Sequence, residues 1–128
     1  MILKVIGSGS KGNCYILENK TEVLILECGV HFDEVKEAMN YDLQKVCGIL
    51  ITHEHKDHCK GVPDALTNGM NVYATKGTIE GMAIKSHRLN AITIDRPFFV
   101  GKFKIIPVKV MHDAKEPCGF FIKHSECG

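Results

Sequence analysis

The feature that most constrains this chain is a junction. The nearly continuous apolar run Val46–Ile51 passes directly into Thr52-His53-Glu54-His55-Lys56-Asp57-His58. An apolar run of that length with no polar alternation is the pattern of a strand buried on both faces. His-x-His-x-Asp-His then sets four possible metal ligands just past its end. On extended backbone, residues two apart share a side and lie roughly 6.5–7 Å apart. Two imidazoles at that separation can reach a common point ~2.0–2.1 Å from each ring nitrogen. Asp57 continues the alternation, whereas His58 points elsewhere, which suits a second metal position about 3.5–4 Å from the first. The competing reading is a polar loop of solvated histidines. Three imidazoles and a carboxylate at this spacing, directly after a buried strand, argue against it.

His112 is the second candidate ligand, because it ends the long apolar segment Phe103–Val110 and precedes Asp113. His31, His87 and His124 read as solvated or core-satisfied. Glu54, Lys56 and Lys60 read as solvated faces of the histidine loop, with the lysines available to a polyanion. Gly7-Ser8-Gly9-Ser10-Lys11-Gly12 spells G-x-G-x-x-G after a strand. The dinucleotide reading fails, because that fingerprint needs a helix opening at the third glycine. The third glycine instead leads into the strand-like Asn13-Cys14-Tyr15-Ile16-Leu17, so the run reads as a glycine-rich turn between strands.

Length and composition narrow the class. The 128 residues allow one domain, spanning 1–128, and 45% apolar residues suffice for its core. Disorder is excluded, and no apolar run approaches the ~20 residues of a membrane helix. Sixteen basic against 15 acidic residues leave a net charge of +1, so a nucleic-acid partner would need a local patch. Cys14, Cys28, Cys47, Cys59, Cys118 and Cys127 form no C-x-x-C pair, and the start of the chain carries no secretion signal. Free thiols in a reducing cytoplasm are the expectation, with Cys28, Cys59 and Cys118 as small buried apolar residues.

The pattern predicts strands at Ile2–Ile6, Cys14–Leu17, Glu22–Leu26, Val46–Ile51, Val72–Ala74, Ala91–Ile94, Phe98–Val100, Phe103–Val110 and Phe120–Lys123. Helices are expected from an Asp33 cap, over Pro63–Leu66, and over Thr78–Lys85 with Ile79, Met82 and Ala83 facing inward. The whole is a mixed α/β chain.

These residues resemble the metallo-β-lactamase-fold hydrolase superfamily over nearly the whole chain. The anchor is Thr52–His58, which matches that superfamily's metal motif. Ile25-Leu26-Glu27-Cys28-Gly29 falls where it has a strand ending in Asp-x-Gly, and Met111-His112-Asp113 where its third metal histidine is expected. Gly7–Asn13 and His112–Phe120 are similar to the YycJ-type exonuclease-like group. The resemblance implies an αββα sandwich of which this chain supplies the N-terminal half. It implies His53, His55 and His112 on one metal, and Asp57 with His58 on a second, Asp57 also serving the catalytic step. Ser8, Ser10 and Asn13 would lie beside the site and contact a phosphate. Glu27 would stand for the usual aspartate that orients the ligands, one methylene longer.

The implied cofactor is a divalent metal, zinc by ligand type with manganese as the alternative, and up to two ions in a complete site. The family's bridging aspartate and last metal histidine match nothing here, so metal is expected at one position or weakly. The implied function is a metal-dependent hydrolase, a phosphodiesterase or DNA exonuclease-like enzyme or a fragment of one. A lactonase, thioesterase or β-lactamase-type hydrolase and a non-catalytic metal-binding module stay open, since the loop sets the chemistry and not the substrate. A lone half would expose the inner face of a sheet. The chain is therefore expected either to be part of a longer protein or to complete its sandwich as a homodimer.

Overall fold

A computed structural model describes residues 1–126. Three strands open the chain: β1 (Ile2–Gly7), β2 (Cys14–Glu18) and β3 (Val23–Leu26) pair antiparallel in sequence order. Helix α1 (Phe32–Ala38) then carries the chain across to β4 (Val46–Leu50), which pairs parallel with β3. The short helices α2 (Lys56–Cys59) and α3 (Val62–Thr67) lead to β5 (Val72–Thr75), and α4 (Lys76–Met82) leads to β6 (Leu89–Ile92). Both of these strands add in parallel, so the first sheet runs β1-β2-β3-β4-β5-β6. Three antiparallel strands, β7 (Phe98–Val100), β8 (Phe103–Lys109) and β9 (Cys118–His124), form a second sheet.

The layers are helix, sheet, sheet, and two cores hold them together. On one face of the large sheet, Ile16, Val23, Ile25, Ile49, Ile51 and Val72 pack with Phe32 and Val35 of α1 and with Val62 and Ala65 of α3. On the other face, Leu24 and Leu50 pack against Val100, Phe103 and Ile105 of the second sheet. A strand between two cores needs apolar residues on both sides, which is why β3 and β4 lack polar alternation. No helix among the described residues is long and apolar enough to cross a membrane.

The inner face of the large sheet is less bare than expected of half a sandwich, because the second sheet already packs on Leu24 and Leu50 at its centre. What remains open is its edge. Leu3 and Val5 share a face with their partners Leu17 and Tyr15 and stay exposed, as do Phe99 and Phe121 of the second sheet.

Several boundaries differ from the sequence pattern. The N-cap of α1 is His31 and not Asp33, which lies within the first turn and makes no cap bond. The sixth strand runs Leu89–Ile92, two residues earlier than Ala91–Ile94. Helix α4 starts at Lys76 because Thr75, the last residue of β5, caps it by accepting from the Thr78 N–H. Ala83 consequently falls past the helix end, left-handed at φ 56° and exposed, not on the inner face.

Candidate metal centre

Strands β3 and β4 end side by side, with Leu26 opposite Leu50. The residues just beyond them, Glu27 and Thr52, therefore meet. Glu27 is buried and held at φ 66°, a left-handed conformation uncommon for a non-glycine residue. Its carboxylate accepts three hydrogen bonds. The Thr52 N–H donates to Oε1 at 2.8 Å, the Thr52 hydroxyl to Oε2 at 2.7 Å, and the His58 Nδ1–H to Oε2.

That carboxylate decides which nitrogens the imidazoles present. The Thr52 hydroxyl donates its proton to Glu27, so at 2.8 Å from His53 Nδ1 it acts as the acceptor of the Nδ1–H. His53 Nε2 then carries the lone pair. It is buried and has no hydrogen-bond partner. His58, protonated on Nδ1 by the same logic, turns Nε2 toward the Asp57 carboxylate at 3.6 Å and the Asn13 side chain at 3.4 Å. Outer hydrogen bonds of this kind fix tautomer and ring orientation at metal sites.

The other histidines gather around His53. Its ring centroid lies 4.7 Å from His55, 4.0 Å from His58 and 4.1 Å from His112. One ligand nitrogen each from His53, His55 and His112 falls within 4.8 Å of the others, so the three can hold a divalent ion. Glu27, His53 and His58 also cluster within 4.8 Å. There the carboxylate is already engaged with Thr52 and His58, so its part is to orient. The orphaned Nε2 of His53 is the atom that fits a metal best, since a buried nitrogen without a partner costs roughly 1–3 kcal/mol.

Asp57 departs from the expected alternation. His55 is extended and stands at the N-cap of α2, and Asp57 falls in that helix's first turn. Its carboxylate stands beside His58 and joins neither group of metal-ligating atoms. Asn13 ties the glycine loop to the histidine loop. Its backbone N–H and its side-chain amide both donate to the Asp57 carbonyl, at 2.7 and 3.1 Å. Asn13 is therefore buried against backbone, while Ser8 and Ser10 remain exposed on the loop before it. Gly12, at φ 140°, packs against the Gly29 carbonyl with no room for a Cβ, which is why this turn needs glycine there.

Electrostatics favour metal uptake at His53. Burial, then the neighbouring His58 and His112, push the His53 pKa down to about 4, so its imidazole is neutral at physiological pH, as a ligand must be. The hydrogen bond to Glu27 raises the pKa of His58. The thiols are no competitors. Cys14, Cys28, Cys47, Cys59 and Cys118 are free, and burial pushes Cys14 and Cys118 up to about 12 and Cys59 to about 11. Cys127 lies outside the described residues.

Three contributors were not visible in the pattern. Thr52 is the relay between Glu27 and His53. Glu54, read as solvated, is half-buried and accepts from the Lys115 N–H at 3.0 Å. Glu116 accepts from the Gly77 N–H at 2.9 Å. Only the third dimension brings those pairs together. A cleft of about 330 Å³ opens beside the site, with Tyr15, Leu50, Phe120 and Ile122 on its walls and Glu27, Thr52 and His58 also lining it.

Comparison with known proteins agrees with this geometry. The exodeoxyribonuclease YycJ of Bacillus anthracis is 31% identical over 134 residues, an alignment covering 94% of this chain and 49% of that protein. The exodeoxyribonuclease WalJ of Streptococcus pneumoniae is 29% identical over 124 residues, covering 88% and 46%. The chain thus spans about half the length of the curated relatives it matches. Among solved structures, the metallo-β-lactamase fold protein YhfI of Bacillus subtilis superposes with a TM-score of 0.77 at 18% identity, over 94% of this chain and 57% of that one. The model of the beta-lactamase superfamily domain matches residues 26–127, a stretch that holds every histidine of the cluster, and the chain belongs to that family.

Proposed function

We propose that this chain carries ligands of a divalent-metal phosphodiesterase centre whose substrate class is DNA. The observation that carries the reading is the buried, unpartnered Nε2 of His53 beside His55 and His112. Zinc is the first expectation for three imidazoles, with manganese the alternative. DNA enters through the two relatives, both named as exodeoxyribonucleases.

A divalent ion supplies Lewis acidity toward a phosphoryl oxygen and lowers the pKa of water to about 7. The chain's own residues do the rest. Glu27 keeps the imidazole protons of His53 and His58 on Nδ1, so that Nε2 faces the reacting groups. Asp57, whose Oδ2 lies 3.6 Å from His58 Nε2, would accept a proton there. The Lys60 ammonium reaches the Lys11 carbonyl at 3.3 Å, which sets Lys60 against the glycine loop. Together with Lys56 these cations form the patch that meets phosphates, and the exposed hydroxyls of Ser8 and Ser10 donate to the same groups.

The test is to titrate the metal-free chain with zinc or manganese, and to follow nucleotide release from single- and double-stranded DNA by the metal-loaded protein extended to the length of these relatives. Metal uptake with release from DNA supports the reading. No metal uptake, bound metal without turnover, or turnover confined to lactam, lactone or thioester substrates overturns it.

A further inference from the structure

His112 reaches the other histidines from a loop, not from a strand. β8 ends at Lys109, β9 begins at Cys118, and His112 lies exposed between them. A ligand on an exposed loop is held to useful precision only by a supporting shell. Two glutamates supply it. Glu54, sitting between His53 and His55, accepts from the Lys115 N–H at 3.0 Å. Glu116 receives the Gly77 N–H on its carboxylate, and its carbonyl accepts from the hydroxyls of Thr75 at 2.7 Å and Thr78 at 3.3 Å.

The helix that receives them has the shape for it. Gly77 and Gly81 are four residues apart and so share a face of α4. A Cβ at Gly77 would stand 2.5 Å from the Glu116 Cβ, and one at Gly81 would stand 2.5 Å from the Glu54 Cγ. Glycine inside a helix costs about 0.5–1 kcal/mol relative to alanine. Two of them in a seven-residue helix therefore have a steric reason, which is to seat the two glutamates. Glu54 is not there for solvation either. Its other oxygen, Oε1, is buried and makes no hydrogen bond.

We propose that Glu54 is a positioning residue of the metal centre: seated on Gly81, it fixes the backbone N–H of Lys115 and thereby the place of His112. The inference rests on reading His53, His55 and His112 as one ligand set. It is tested by amide hydrogen exchange on the metal-free chain, with cobalt(II) affinity and absorption as a second readout. Glu54→Ala should speed exchange at Lys115 about tenfold or more, the scale of one charge-assisted hydrogen bond. It should also weaken cobalt binding about 10- to 100-fold, the usual consequence of losing an orienting partner.

Glu54→Gln should stay near the unsubstituted chain in both, because its amide oxygen accepts the same N–H. Gly81→Ala should behave like Glu54→Ala by displacing the side chain from its seat. Unchanged exchange and an unchanged cobalt spectrum in Glu54→Ala would overturn the proposal. So would Glu54→Gln losing as much as Glu54→Ala, which would show that charge and not anchoring matters. If the unsubstituted chain takes up no cobalt, the ligand reading fails, while exchange at Lys115 still decides whether Glu54 anchors the loop.

Discussion

Strand β3 is flanked by two glutamates, and each hydrogen-bonds a histidine at its own end of the strand. At the start of the strand, Glu22 accepts from His124 Nε2 at 2.9 Å, and the Glu126 N–H donates to His124 Nδ1 at 3.1 Å. Glu22 also takes the Lys102 N–H, and the His124 ring packs edge-on against Phe103 at 4.7 Å. Both ring nitrogens are used, so that end is a latch between the two sheets. Past the other end of the strand, Glu27 orients His53 and His58 but leaves His53 Nε2 buried and unpaired. The ingredients are alike and the hydrogen bonding differs. A fully satisfied imidazole stabilises the fold, and an orphaned one marks where a ligand belongs.

The sharpest way to break this contrast is to remove each histidine in turn. His53→Ala should weaken metal binding by more than about 100-fold, beyond the range of an orienting partner. His124→Ala should leave metal affinity unchanged. Competition titration against a chromophoric chelator reads both, and equal losses would dissolve the distinction. Next in size, Glu22→Ala should lower stability by about 2–3 kcal/mol in denaturant unfolding, the scale of hydrogen bonds to a charged group. Glu27→Gln should instead act on metal, weakening it about 10- to 100-fold by releasing the Nδ1 protons of two rings.

The smallest effect is a difference in pH dependence. In the metal-free chain His53 is held near 4, below its ordinary 6.5, so the unfolded chain binds more protons between those values. Stability should therefore decline as pH falls from 6.5 toward about 4, and His53→Ala should remove that decline. Glu22 is held below its ordinary 4.5, where burial is outweighed by hydrogen bonds from His124 and Lys102. Its contribution is present above pH 4.5 and lost only below it. His58, raised by Glu27, runs the other way, its contribution being complete below pH 6.5 and lost as pH rises. Thermal unfolding followed from pH 8 to pH 3 separates the three.

Much of the site was legible locally. His53 and His55 bring their rings into one group of ligand atoms, as the His-x-His spacing suggests, and the run before them is the central strand it resembles. His112 is marked by its place after a long apolar strand. The glycine run leads into β2 and not into a helix, as the strand-like residues after it indicate. Asp57 does not keep the alternation, since nothing in Lys56-Asp57-His58-Cys59 announces a four-residue helix. Glu54 and Glu116 were invisible as supports. A glutamate that touches a helix face and a loop amide has the same local pattern as one in water.

Local order along the chain therefore determined the strands, most helices and the concentration of imidazoles after β4, because those follow from side-chain periodicity and backbone preference. Only the tertiary structure decided which nitrogen of each imidazole is left open. His58 meets a glutamate 31 positions away, and His124 meets one 102 positions away. Such pairings are set by sheet register and by the packing of one layer on another, and neither is written in any short stretch of residues.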